Sequence, residues 1–329
     1  MAKRKTKSKS SEGLINALRF ISVAQKAEGN SPFHSHCILH NGFAMAYNGT
    51  ITAGAKIEKT LEIAPHTYKL IAALERTTKD ISITELEGKL SVRSGGFQAH
   101  VPCWHESMPS LAPDPASWPI TDVLRENLEM ISAISVDNDK KRIVECSILI
   151  RENSAFASDG AVLLEAWHGL NLPECILPKA FVTAIINTKK KMTKFGKSEN
   201  SCTVYFEDES FIKTQIYSET WPDINVILNK PSKPEPLPKG FYEALRNIEP
   251  FSNGKEAEKT VYFVDGALQS HRDKNEGATC ECNVKHGPAF NIKRLKRIEH
   301  CVETVDFYSH NVAFFFGNGV RGALCGVRV

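Results

Sequence analysis

A threefold internal repeat runs through this chain, and few architectures accommodate one of its length. Each copy carries three landmarks in a fixed order, returning every 110 residues or so. The first is an amphipathic helix with apolar residues at i, i+4 and i+7: Leu14, Leu18 and Ile21; Leu124, Leu128 and Ile131; Phe241, Leu245 and Ile248. That spacing puts one stripe on a helix. The second is a short strand ending in a turn dipeptide: AMAYNG at 44–49, AFASDG at 155–160 and VYFVDG at 261–266. Asn-Gly and Asp-Gly favour tight hairpins because they tolerate positive φ. The third is a proline read as opening a second helix, at Pro65, Pro178 and Pro288, since proline loses nothing in a first helical turn. Solenoid repeats run about 20–50 residues, so this period implies whole domains.

The expected class is therefore α+β: three similar domains, each with helices on one face of antiparallel sheets. The boundaries read as a basic arm over 1–10, then domains at 11–115, 116–232 and 233–329. The proline-rich stretches MPSLAPDPASWP (108–119) and KPSKPEPLP (230–238) serve as junctions. At 329 residues, with 42% hydrophobic residues, the chain can bury several cores. Its longest apolar runs fall well short of the roughly 20 residues a membrane span needs, and no membrane partner is expected. Nine scattered cysteines in a chain of this length suggest reduced thiols and a cytoplasmic setting.

Several stretches resemble the beta subunit of bacterial DNA polymerase III, the beta sliding clamp. LSVRSGGFQAHVPCWHESMPSL (90–111) resembles the end of its first domain. AFASDGAVLL (155–164) resembles the second-domain TDGHRL hairpin, and ILPKAFVTAI (176–185) the helix opening that follows. IKTQIYSETWPDINVIL (212–228) is similar to the FPDY segment, FNIKRLKRI (290–298) to a third-domain helix, and the closing GVRV to the short C-terminal tail. The likeness runs in order along nearly the whole chain after about residue 11. Ala161-Val162 replaces the family's His-Arg, and Cys325-Gly326-Val327 its Met-Pro-Met. A diverged member, bacterial or phage-encoded, would show such changes.

The resemblance implies a non-enzymatic processivity factor without cofactors. Two chains would join head to tail as a homodimer, six domains around double-stranded DNA. A clamp loader would open it, and a DNA polymerase and other clients would bind by a short peptide. The client pocket would use Val144, Ser158, Gly160, Ala161, Val162, Leu163, Pro222, Val226, Ile227, Val327, Arg328 and Val329. The dimer joint would use Phe97 and Ala99 against Phe251. It would work in the cytoplasm, at the nucleoid or in a phage's host.

Charge bears on the DNA role. Net charge is only +3, so any DNA-facing surface must come from segregation. A helix read from Pro178 through Lys194 carries Lys179, Lys189, Lys190, Lys191 and Lys194, and one from Pro288 through Ile298 carries Lys293, Arg294, Lys296 and Arg297; of these, Lys189, Lys190, Lys191, Lys293, Lys296 and Arg297 are taken to face DNA. Arg19, Lys26 and Lys69 add to these nine DNA-facing candidates. A helix at 122–134, with Asp122, Glu126 and Glu129 against Arg125, runs the other way.

FHSHCILH brings His34, His36, Cys37 and His40 together, and on a strand the three histidines would share a face. Without a second ligand cluster at usable spacing no metal is assigned. Asp159 and Asp265 are explained as turn residues. Two other readings stay open: a clamp-like protein that binds clients without encircling DNA, and an enzyme using the His/Cys cluster.

Overall fold

The computed structural model describes residues 9–25, 31–58, 61–77, 81–105, 111–136, 141–254, 259–273 and 276–327. The first repeat runs α1 (Lys9–Ile21), β1 (Ile38–His40), β2 (Phe43–Tyr47), β3 (Ile51–Lys56), β4 (Ala64–Pro65), α2 (Thr67–Glu75), β5 (Ser82–Leu86), β6 (Lys89–Ser94) and β7 (Phe97–Trp104). The second runs β8 (Ala116–Pro119), α3 (Asp122–Ser132), α4 (Ile143–Cys146), β9 (Ser147–Ile150), β10 (Ser154–Ser158), β11 (Val162–Trp167), β12 (Cys175–Pro178), α5 (Lys179–Thr188), β13 (Met192–Lys197), β14 (Ser201–Phe206) and β15 (Phe211–Gln215). The third runs α6 (Asn225–Leu228), β16 (Glu235–Pro236), α7 (Phe241–Ile248), β17 (Thr260–Val264), β18 (Ala267–Gln269), β19 (Thr279–Glu281), β20 (Ala289–Asn291), α8 (Ile292–Arg297), β21 (Thr304–Asp306), β22 (Val312–Gly317) and β23 (Val320–Cys325). Each repeat is thus a helix, a hairpin-bearing group of strands, a second helix and three closing strands, as the landmarks predict.

These elements gather into two compact units. The first holds the chain up to Arg125 together with Ala180–Tyr217; the second holds Glu126–Lys179 and Ser218–Val329. In the first, a seven-stranded antiparallel sheet runs β1-β2-β3-β15-β14-β13-β8. Its middle joins two repeats: Phe211 on β15 pairs with Gly54 on β3, and Thr214 with Ile51. A Cβ on Gly54 would overlap the Phe211 ring, so only glycine lets that ring cross the junction. A smaller sheet, β4-β7-β6-β5, completes the unit. In the second unit an eight-stranded sheet runs β12-β9-β10-β11-β23-β22-β21-β16, and β11 pairs with β23 as β3 does with β15. The four-stranded sheet β19-β18-β17-β20 completes it.

The helical stripes are all inward. Leu18, Ile21, Ile131 and Leu245 are fully buried, and the remaining stripe residues nearly so. Full burial of such a side chain contributes roughly 1.5–3 kcal/mol. Phe241, Phe263, Phe290 and Phe307 form an aromatic core, with Phe263 edge-on to Phe307 at 4.8 Å between centroids. The three turn glycines have φ of +95° at Gly49, +86° at Gly160 and +76° at Gly266.

Four expectations need correction. The prolines do not open helices: Pro65 and Pro178 end strands β4 and β12, and Pro288 precedes β20. β4 and β12 are edge strands, where a missing N–H breaks no ladder. The histidines do not share a strand: His34 ends a 3-10 turn, His36 bridges to His66, and His40 ends β1 beside Glu62. Among the described residues no group of three or more His, Cys, Asp or Glu is arranged to hold a metal ion. α1 begins at Lys9, inside the stretch read as a basic arm, whose Lys3, Arg4, Lys5 and Lys7 lie outside the described residues. Finally, α5 stops at Thr188 and α8 spans only Ile292–Arg297, so the lysine run 189–191 is not helical. All nine cysteines are free thiols, and burial pushes Cys37 and Cys301 up to about 12.

Candidate functional site

The second unit carries a cleft of about 830 Å³. Eight of the twelve residues expected in the client pocket line it: Val144, Ser158, Gly160, Ala161, Val162, Leu163, Pro222 and Ile227. Val226, 65% exposed, stands off the lining, and Val327 bridges to Ala289 instead. Arg328 and Val329 lie outside the described residues. Trp221, Ile224, Val312, Ala323 and Cys325 add to its apolar wall. Three of these were readable only through pairing: Leu163 lies opposite Ala323, and Val312 opposite Cys325. Once β23 is placed beside β11, its alternate residues join the hairpin's wall.

The wall of the cleft at 158–163 is held from several sides. Ser158 Oγ accepts from Gly160 N–H at 3.0 Å, and Asp159 Oδ1 from Ala161 and Val162 N–H at 2.9 and 2.8 Å. Ala161 C=O accepts from Cys325 N–H at 2.8 Å. Gly160 is held at positive φ, which favours glycine, and a Cβ there would press on the Arg142 guanidinium at 3.0 Å. Asp159 Oδ2 is clamped by α8: Arg294 Nε at 3.1 Å and Arg297 Nη1 at 3.2 Å. Burial would raise the Asp159 carboxyl, but the Val162 and Ala161 amides and Arg294 outweigh it and hold it below the usual range. Arg142, Thr220 and Lys230 put polar groups on a cleft whose wall is mostly apolar, a shape and chemistry that anchors aliphatic or aromatic side chains.

The cationic candidates have unequal freedom. Arg19 pairs with Glu75 at 2.6 Å. Lys190 pairs with Asp208 at 2.6 Å and sits 3.9 Å over the Phe20 ring. Lys296 pairs with Glu249 at 2.7 Å, and Arg297 with the buried Asp159. Lys69, Lys189 and Lys191 are exposed and in no ion pair among the described residues. Lys293 is half-buried on α8, and Lys26 lies outside the described residues. The chain leaves α5 through Lys189, at φ +53°, a left-handed C-terminal turn. Arg125 fixes this turn. Its guanidinium donates to Ile185 C=O at 2.9 Å and to Lys190 C=O. In the sequence Arg125 reads only as a surface charge; its role depends on carbonyls 60 residues away, and nothing local signals it.

A third feature is an open strand edge. β7 bonds β6 along Phe97–Pro102, but on its other side, among the described residues, β4 pairs with Cys103 and Trp104 and the His66 N–H donates to Pro102 C=O at 2.9 Å, which leaves the stretch from Phe97 to Val101 uncovered. Phe97 and Ala99 on that edge are half-buried. In the second unit, β19 bonds only β18 among the described residues, and Phe251 is 55% exposed.

No family model and no curated protein matches the chain. Solved structures do. A DNA polymerase sliding clamp from Pseudomonas aeruginosa superposes with a TM-score of 0.81 at 15% identity, covering 97% of this chain and 98% of that one. The beta sliding clamp of C. crescentus gives 0.80 at 15% identity over the same shares. The DNA polymerase III beta chain of Streptococcus pneumoniae gives 0.79 at 13% identity, again over 97% and 98%. The chain therefore has, from end to end, the repeated α+β fold of the bacterial beta sliding clamps.

Proposed function

We propose that this chain is a DNA sliding clamp, a processivity factor that encircles duplex DNA and tethers a DNA polymerase and other clients, and that it catalyses no reaction. The observation that carries this reading is the end-to-end fold match, extended by internal logic. The last strand of the second repeat, β15, bonds β3; the last strand of the third, β23, bonds β11. β7 is the last strand of the first repeat, and its edge is open. In the third repeat the strand after the turn glycine, β18, is already bonded by β17 and β19, so the β7 of another chain would meet the edge of β19, with Phe251 in the joint. An exposed edge that a second copy covers no longer invites uncontrolled pairing. Such a head-to-tail homodimer has six domains, with boundaries near 11–115, 116–232 and 233–329.

The apolar cleft beside Leu163 and Ile227 would take the client peptide. Phosphates would be met without sequence preference by exposed lysines, Lys69, Lys189 and Lys191 first. Arg19, Lys190, Lys296 and Arg297 would contribute where their ion pairs can exchange, and Lys26 and Lys293 would add to them. Loading by a clamp loader, and work in the cytoplasm of a bacterium or a phage's host, follow from the same reading. A second reading, a client-binding protein that does not encircle DNA, draws on the ion pairs that occupy Arg19, Lys190, Lys296 and Arg297. Solution mass with retention on circular against linearised DNA separates the two. A monomer, or equal loss from both DNA forms, rejects the clamp.

A further inference from the structure

We infer that the second unit's cleft selects a peptide that carries an acidic residue beside its apolar anchors, and that Lys230 and Arg142 read that acid. The inference rests on the peptide reading of this cleft and adds the chemistry of the peptide's flanks. Both charged side chains that line the cleft are cationic: Arg142, just before α4, and Lys230, just beyond α6. Among the described residues no aspartate or glutamate lines it. Ala161 and Val162 bring no charge to the hairpin, and the Asp159 carboxylate beside them is turned to Arg294 and Arg297. Glu219 and Asp223 belong to the linker that crosses the cleft, but the linker lines it through Thr220, Trp221, Pro222 and Ile224 instead.

The two cations are available. Lys230 is exposed, and its side chain is in no ion pair among the described residues. Its backbone N–H donates to Ile227 C=O at 3.2 Å, which ties the cation to the end of α6 beside an apolar wall residue. Arg142 donates through Nε to Glu145 at 2.6 Å, and its side chain is 75% exposed. Glu145 also faces Lys141 Nζ at 3.3 Å, so one carboxylate answers two cations. The Arg142 Nη2 lies against Gly160, at the turn that forms one wall. Next to these charges the wall is aliphatic, with Val144, Val162, Leu163 and Val312. A carboxylate that arrives with an apolar anchor therefore meets positive charge that the protein does not compensate. A lysine or arginine in its place meets like charge, so the cleft also rejects basic flanks. A DNA duplex could answer two cations, but it brings no side chain for the aliphatic wall.

The test titrates the full-length chain with three fluorescein-labelled synthetic peptides, read by fluorescence anisotropy. All three share adjacent leucine and phenylalanine anchors; the residues on both sides are aspartate, asparagine or lysine. The aspartate peptide should bind about fivefold more tightly than the asparagine peptide, with the lysine peptide weakest. The gap should narrow as salt rises. Lys230→Glu, a change on an exposed side chain, should erase the preference for aspartate and leave the asparagine peptide within about twofold of its parent affinity. Ile227→Ala should weaken all three peptides alike, because it trims the apolar wall. Aspartate and asparagine peptides that bind equally, yet weaken in Ile227→Ala, would overturn the charge preference and keep the cleft. A preference for aspartate that persists unchanged in Lys230→Glu would overturn the role of Lys230. Peptides that do not bind, or that bind Ile227→Ala as they bind the parent, would reject the cleft reading and the inference with it. Duplex DNA that competes with the asparagine peptide for the parent, and not for Lys230→Glu, would assign the cation to phosphates and overturn the inference as well.

Discussion

Asp159 is the residue on which most of the second unit's site converges. One carboxylate oxygen caps the Gly160 turn, and the other holds Arg294 and Arg297 of α8. Asp159→Asn keeps the turn acceptor but leaves two guanidinium groups without their charge partner. The expected loss is about 1–3 kcal/mol of stability by urea denaturation, with weaker client-peptide binding. An unchanged denaturation midpoint would reject this role. The same chemistry predicts acid sensitivity. Asp306 accepts from the Lys233, Tyr308 and Ser309 amides at 2.7, 2.9 and 3.0 Å; despite burial, these hold its carboxyl at about 2. A depressed folded value means stabilisation that is complete above the ordinary carboxylate range and lost as pH falls through the folded value. The Asp306 contribution should hold from pH 7 to 5 and be lost between about pH 4 and 2, and Asp306→Asn should flatten that part of the fall by about 2 kcal/mol. The turn at Asp159 was legible from Asp-Gly alone. Its salt link was not, because the arginines lie 135 and 138 positions away and turn chemistry already accounted for the acid.

At the scale of elements, periodicity found what is buried and missed what ends an element. The stripes of α1, α3 and α7 face the core as read, since burial of a 3.6-residue stripe is what makes such helices stable. The end of α5 reads too far on, and the start of α8 too early. Lysine is a good helix former, so Lys189–Lys191 read as helix. What stops α5 is a left-handed Lys189 and an Arg125 guanidinium on its last carbonyls. The correction moves the DNA prediction with it. Lys189→Ala with Lys191→Ala should weaken DNA retention evenly over sequences, and the salt slope should become shallower by about 0.9 for each phosphate that is no longer neutralised. Arg297→Ala should act chiefly on stability, because it uncovers the buried Asp159. The reverse pattern would return the DNA role to α8. The open edge of β7 makes a separate prediction. Phe97→Asp with Phe251→Asp should leave a folded monomer by sedimentation, whereas a mass unchanged from the parent would remove this edge from the joint.

For the whole molecule, the repeat was legible because whole supersecondary groups recur, and such groups bury their faces in the same way each time. What it hid is how the repeats are sewn. The compact units cut across them, since β3 continues into β15 and β11 into β23. A strand pairing between distant segments leaves no periodic trace in either one. That sewing also tests the proposed ring. If two chains close through β7, the link to DNA is topological and needs few contacts, which accords with a net charge of only +3. Retention on a nicked circle should then outlast retention on the same DNA after linearisation by about tenfold or more. Raised salt should shorten both lifetimes through counterion release, yet the difference between circle and line should persist, because ends rather than charges release the protein. The Phe97→Asp, Phe251→Asp variant should lose the advantage of the circle altogether. A parent protein that leaves circles and lines at one rate, with the full salt slope of a basic binder, would mean that it binds along DNA and does not surround it.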